Sequence, residues 1–479
     1  MTDDRWRSPL GTRYASPAMQ TLWGEPHRIG LWRRLWLALA EAERELGIDV
    51  PEEALAQMRA HLDDADLAAA ARYERRFRHD VMAHVHAFGE QAPAARPYLH
   101  LGATSAFVTD NTDLIVLREG LRLLLGRVIA VLGALETFAG RTAALPCLAY
   151  THFQPAQLTT VGKRATLWMQ DYALDVEELC HRIETLRFRG CQGTTGTQAS
   201  FLELFGGDHA RVRELERRVT RKLGFTEQFA VTGQTYPRKA DSAVLDALSG
   251  VAQSAAKMAG DLRLLQHEGE LLEPFESEQI GSSAMAYKRN PMRAERISGL
   301  ARFVISLQAN GPHTAAAQWL ERSLDDSANR RLTLPEAFLA TDAILVLATN
   351  IAAGLEVRED VIRRHVLEQM PFMATERWLM LGVGVGGDRQ ALHEVIRRHS
   401  LAVTEAVCRG APNDLLERLA ADPAFAAIQV AALRAELEPA AYTGRAEAQV
   451  GEFLAEYLRP LLARARPLAA EAEPPEVRV

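Results

Sequence analysis

The chain has 479 residues, 48% of them hydrophobic, enough for one extended multi-helix body or two to three domains with a sizeable core. A net charge of −7 argues against a protein that coats nucleic acid, and no apolar run reaches the ~18 residues of a membrane span. The opening MTDDRWRSPLGTRY lacks the basic-then-apolar order of a secretory leader, so a cytoplasmic protein is expected.

The chain's predicted elements are almost all helical. The first lies at 31–46, where Leu31, Leu35, Leu39, Ala42 and Leu46 form one stripe before Gly47 stops it. A second runs from Thr112 to about Ala144 without proline and is apolar nearly all round, as a helix buried on several sides is. Further long Ala- and Leu-rich segments occupy 155–187, 238–272, 292–310 and 333–355. Together they predict an all-α fold with a bundle of very long helices over 105–357, flanked by a helical domain at 1–104 and another at 358–479 that ends in a frayed tail. The apolar excess of the bundle predicts burial in an oligomer.

Polar stretches interrupt these helices: LGATSAFVTDNTD (101–113), YTHFQPAQ (150–157), RFRGCQGTTGTQASF (187–201), VTGQTYPRK (231–239), GSSAMAYKRNPM (281–292) and ERSLDDSANRR (321–331). The last gathers Arg322, Ser327, Arg330 and Arg331; with Ser327 capping a following helix, it reads as a phosphate cradle. Arg13 and Tyr14 lie in a segment too polar for core. The hydroxyl- and glycine-rich GATS (102–105) and GTTGTQAS (193–200) suit the carboxylates of a small acid. His152, placed at the start of a long helix, is either a proton carrier or a capping or packing residue.

Other features read as structural. The histidines of HDVMAHVH (79–86) lack the i, i+4 spacing of metal ligands, GVGVGG (382–387) follows a helical pattern and reads as an inter-helix turn, and Arg72, Arg75, Arg76 and Arg78 read as a solvated face. Cys147, Cys180, Cys191 and Cys408 show no CxxC spacing and read as ordinary thiols. Only five of the 55 basic residues are lysines, and one of them, Lys288, sits in the 281–292 stretch. No hydrolase motif surrounds Ser282 and Ser283.

GSSAMAYKRNP resembles the signature loop GSSxMPxKxN of the fumarase/aspartase superfamily. LGATSAFVTDNTD, YTHFQPAQLTTVGKR, RFRGCQGTTGTQASF and LDDSANRR narrow the resemblance to the adenylosuccinate lyase family, of the type found in animals, from about Arg7 to about Leu462. The resemblance implies a three-domain fold, a homotetramer whose helices form a common core and whose sites each draw on three subunits, and no metal or organic cofactor. It implies elimination of fumarate, without hydrolysis, from adenylosuccinate and from the succinylated aminoimidazole carboxamide ribotide of purine biosynthesis. Ser282 would be the base, His152 the acid that protonates the leaving nitrogen, Glu295 the carboxylate that orients it, and Lys288 the cation that stabilises the alkoxide or the carbanion. Arg13, Tyr14, Arg322, Ser327 and Arg331 would hold phosphate and ribose, and Arg78, His79 and Asp80 would line the nucleotide pocket. Thr104, Ser105, Thr151, Gln234, Lys288 and Asn290 would bind the succinyl carboxylates, and Arg296 would complete the site. The alternatives are another lyase of the superfamily, acting on a non-phosphorylated succinyl compound, and a catalytically silent structural relative. One residue departs from the signature: Ala286 stands where proline is usual, which predicts a looser open loop.

Overall fold

The structure, a computed structural model, describes residues 5–276 and 278–470. In chain order the principal helices are α1 (Glu25–Glu45), α2 (Leu67–Phe77), α3 (Asp80–Gln91), α4 (Ser105–Arg141), α5 (Val161–Thr185), α6 (His209–Lys222), α7 (Lys239–His267), α8 (Met292–Gln308), α9 (Asp325–Gly354) and α10 (Glu359–Met373). Two small antiparallel sheets complete the frame: β1 (Pro146–Thr151) pairs with β2 (Gln154–Thr160), and β3 (Leu271–Leu272) with β4 (Glu356–Val357).

Helix α1 follows its sequence stripe, burying Leu31, Leu35, Leu39 and Ala42. It ends where Gly47, at φ +98°, bonds back to the Arg44 carbonyl while the Ile48 amide reaches that of Glu43. The long helices α4, α5, α7, α8 and α9 pack on one another around a core that includes Leu124, Leu132, Trp168, Met169, Leu248, Ile297 and Ile344. By length and composition α4 and α9 could each cross a membrane; here most of each such stretch is buried inside the bundle. A second core gathers Trp32, Trp36 and Phe88 with Phe107, Phe188, Phe201 and Tyr236. A third forms around Trp378, Leu392, Leu415 and Phe425. GVGVGG closes one helix, which runs Thr375–Gly384, and makes the turn to the next at Arg389, with Gly386 at φ +93°.

Two expectations are corrected. The segment read as a helix from 155 starts as a hairpin, and α5 begins only at Val161, so His152 is not at a helix start. Leu158 and Thr160 face inward two apart, a strand period that the short polar run before them concealed. Ser327 does not cap α9: with Asp325 and Asp326 favouring the positive end of the helix, α9 starts at Asp325 and Ser327 lies inside its first turn. Of the tail expected to fray, residues 471–479 lie outside the described residues; before them the Ala470 amide bonds the Arg122 carbonyl of α4.

Candidate active site

Three helix N-termini, each a partial positive charge with unpaired amides, meet at one place. At α3 the His79 ring caps the helix, its Nδ1 accepting the Met82 amide at 3.3 Å. With Nδ1 so occupied, Nε2 carries the proton and lies 3.4 Å from the Ser105 hydroxyl, in the first residue of α4. Thr104 is the N-cap of α4, and its side chain makes no capping bond. From the first turns of α9, Arg331 reaches Ser327 Oγ through Nε and Asp80 Oδ2 through its terminal nitrogen, both at 3.3 Å. Arg78 sits beside this group at φ 55°, the left-handed residue that turns α2 into α3. The chain therefore unites Arg78, His79, Asp80, Thr104, Ser105, Ser327 and Arg331, seven of the residues singled out in the sequence. His84 and His86 turn elsewhere, onto Trp32 and onto Tyr73 and Phe77. Among the described residues, no group of three or more His, Cys, Asp or Glu could hold a metal ion.

Beneath lies a lattice of buried charges. Arg238 donates to Asp326 at 2.7 Å and, with both terminal nitrogens, to Asp110 at 3.1 and 3.2 Å. Arg330 bonds Asp241 at 2.7 Å and the Tyr236 hydroxyl at 2.5 Å, and pairs with Asp113 at 2.9 Å. Burial would push the Asp113 carboxyl up, but the Arg28 and Arg330 guanidinia overcome it and hold it at about 2. Arg330 is thus spent on structure and is not part of the expected phosphate cradle, because its fork is used up inside.

The glycine-rich segments stack over this base. The Arg189 guanidinium, fully buried, donates to the carbonyls of Gly190, Gly193 and Gln234, joining the 187–201 and 231–239 stretches. A side chain at Gly196 would strike the Thr232 carbonyl, and one at Gly233 would strike that of Glu321. Both glycines are needed for backbone to touch backbone. The Gln234 amide bonds the Glu321 carbonyl at 2.9 Å, which sets Gln234 against the segment carrying Arg322.

The 281–290 stretch forms a loop closed at its neck. Asn290 Nδ2 donates to the Gly281 carbonyl at 2.7 Å, so this amide, expected on a carboxylate, spends one donor within the loop. Ser282 Oγ accepts two backbone amides, from Met285 at 3.1 Å and Ala284 at 3.4 Å. Lys288 and Glu295 are exposed. Arg296, one turn into α8, lies 5.7 Å from the Tyr14 ring, which brings the N-terminal segment with Arg13 to this helix.

The β1–β2 hairpin carries Thr151 and His152 to its tip. Thr151 pairs with Gln154, and the two turn residues, His152 at φ 52° and Phe153 at φ 57°, take a turn normally built from Asn-Gly. Residues 151–157 are exposed, and among the described residues His152 makes no hydrogen bond or ion pair. Among the described residues the side chain of His152 is thus left without a polar partner, unlike those of His79, Ser105 and Arg331.

Arg189, Arg238, Asp110, Asp241 and Asp326 were missed in the sequence because isolated charges read as surface. Glu273 was missed too: it caps α8, accepting the Arg293 and Ala294 amides at 3.0 Å each.

Long-helix bundle, signature loop and clustered helix ends together define a fumarase/aspartase-type lyase. Solved structures share the fold: 3-carboxy-cis,cis-muconate lactonizing enzyme from Pseudomonas putida (TM-score 0.80, 24% identity, 96% of this chain and 99% of that one) and a fumarate lyase from Mesorhizobium sp. BNC1 (0.77, 24%, 93% and 99%). Residues 26–306 match the family described as Lyase, and residues 371–453 match the adenylosuccinate lyase C-terminus. Adenylosuccinate lyases of Saccharomyces cerevisiae and Schistosoma mansoni are 49% and 46% identical to the chain, over 94% of both partners; that of Pyrococcus horikoshii is 32% identical over 75% of this chain and 78% of its own. The chain belongs to the adenylosuccinate lyase family.

Proposed function

We propose that the protein releases fumarate from adenylosuccinate to give AMP, and from the succinylated aminoimidazole carboxamide ribotide to give the free carboxamide. The observation that carries this reading is Ser282, whose oxygen receives two loop amides six residues before Lys288, in a chain of this family. A free hydroxyl is a poor base; amides and a nearby ammonium favour its alkoxide. Ser282 takes the proton beside the succinyl carboxylate, leaving an aci-carboxylate carbanion that Lys288 stabilises. The C–N bond then breaks, its electrons go to nitrogen, and His152, oriented by Glu295, supplies the proton that nitrogen needs.

The cluster at the three helix ends supports anion binding. Arg78, His79, Asp80, Ser327 and Arg331, with Arg13, Tyr14 and Arg322, serve the nucleotide and its phosphate. Thr104, Ser105, Thr151, Gln234 and Asn290 hold the succinyl carboxylates, and Arg296 closes the site. No cofactor enters this scheme, because side chains supply both acid and base.

The side chains of His152, Lys288 and Glu295 are exposed and make no hydrogen bond or ion pair among the described residues, which supports sites completed by other subunits of a homotetramer. Exposed Leu167 and Leu174, one stripe of α5, together with Leu264 of α7 and Phe303 of α8, supply apolar surface for such an assembly. We place the enzyme in the cytoplasm, with no membrane or nucleic-acid partner. Incubating purified protein with adenylosuccinate tests the reading: AMP and fumarate should form in equal amounts. A folded tetramer that releases none is a silent relative, and one that acts only on a non-phosphorylated succinyl compound is a different lyase.

A further inference from the structure

The exposed hairpin tip raises the question of what sets the pose of His152. The answer lies at the hairpin's base. Below a register shift, Leu148 pairs with Leu158; above it, Tyr150 pairs with Pro155. At that shift Arg164, in the first turn of α5, donates to the Leu148 carbonyl and stands 6.0 Å from the Tyr150 ring. Arg164 in turn faces Glu270, its terminal nitrogen 3.9 Å from Oε2. The other carboxylate oxygen, Oε1, is 2.9 Å from Nδ1 of His365 on α10, the helix that packs against β1. Glu270 is 1% exposed. Its own carbonyl accepts the Arg358 amide at 2.9 Å, tying it to the β3–β4 pair.

The Arg164–Glu270 contact is too long for a hydrogen bond, and both facing atoms are buried without one. Their attraction is Coulombic and directional only through the carbonyl that Arg164 grips. Hairpin, α5, α10 and the turn that follows α7 therefore meet in one charge cluster around the buried Glu270. None of its members reaches the hairpin tip, so they act on His152 only through the strands.

We propose that Arg164, aligned by Glu270 and His365, is a positioning residue that sets the pose of His152. This rests on the reading of His152 as the proton donor. A proton carrier displaced by ~1 Å can lose about a hundredfold in rate while substrate binding stays nearly unchanged.

The test is a double-mutant cycle on the whole protein: Glu270→Gln and Arg164→Lys, each alone and combined with His152→Gln, with kcat and KM for adenylosuccinate and the assembly state measured for each. The expected result is a fall in kcat of about tenfold or more for each single variant, KM within about twofold, and no further fall in the His152→Gln background. Equal factors with and without His152, or a change confined to KM, would overturn the proposal and leave the acid assignment standing. His152→Gln with unchanged kcat would overturn that assignment, and the proposal with it. If Glu270→Gln fails to assemble, Arg164→Lys, which keeps the charge and loses the fork, decides by the same criteria.

Discussion

The Arg238 guanidinium lies 2.7 Å from Asp326 Oδ2, and both side chains are almost wholly buried. This pair ties the start of α7 to the start of α9, and Asp110 holds the other side of the same fork. Its consequences bear on stability and on the site above it.

Removing one member of a buried pair strands the other. Asp326→Ala should cost about 3–5 kcal/mol, more than Asp326→Asn, which keeps an acceptor. Denaturant unfolding at fixed protein concentration measures both, since an assembling protein's stability depends on concentration. Equal losses would show that the charge of Asp326, which both variants remove, and not its acceptor is what holds Arg238.

Ser282 accepts two loop amides, which Ser283 does not. Ser282→Ala should lower kcat by about 10²–10⁴ with assembly intact, and Ser283→Ala by far less. Retention of most activity by Ser282→Ala would move the role of base to Ser283.

Ala286 occupies the second position of a β-turn closed by the Lys288 amide on the Met285 carbonyl at 2.9 Å. Neither Ala286 nor Tyr287 has positive φ, as in the turn type that favours proline at this position. Ala286→Pro should therefore fit and pre-order the loop by roughly 0.4–1 kcal/mol, raising kcat/KM about two- to fivefold. An impaired variant would show that the loop needs its freedom.

Exposed His152 on one element and Ser282 on another lead to a mixing experiment. His152→Ala and Ser282→Ala, each inactive alone, should regain part of the wild-type rate when dissociated and reassembled together, because some sites then receive both intact side chains. No recovery from a mixture proven to contain hybrid tetramers would mean that both residues come from one subunit.

Glu43 is fully buried and neither carboxylate oxygen has a hydrogen-bond partner; burial pushes its carboxyl up to about 9. The folded protein then holds a proton that the unfolded chain releases near its ordinary value. Stability from this group is fully present at acid pH and is lost as pH rises toward and through 9. Glu43→Gln should flatten the fall in stability between about pH 5 and 9, read from unfolding midpoints across that range. An unchanged slope would assign it to other groups, such as Glu216, which burial pushes up to about 7.

Helix periodicity made the bundle legible, and the interruptions between helices located the site segments, because chemistry at helix ends needs hydroxyls, glycines and charges that a helix interior does not. The hairpin was not legible: YTHFQPAQLTT is short, its alternation covers only the last residues, and a left-handed His-Phe turn has no sequence signature. Ser327 misled because two acidic residues before it already start the helix. Asn290 looked like a free ligand, while its neck bond depends on a carbonyl nine residues earlier.

What the sequence determined by itself was local: where helices run, which loops carry glycine and hydroxyl, and which family the signature loop resembles. These follow from interactions a few residues apart, which composition and spacing encode. Only the tertiary structure decided which charges are buried and which stay at the surface. Arg330 and Arg331 are adjacent in sequence, yet helical rotation sends the first inward to Asp241 and Asp113 and the second outward to Asp80. Partners 89 and 251 residues away decide their roles, and no local pattern carries that information.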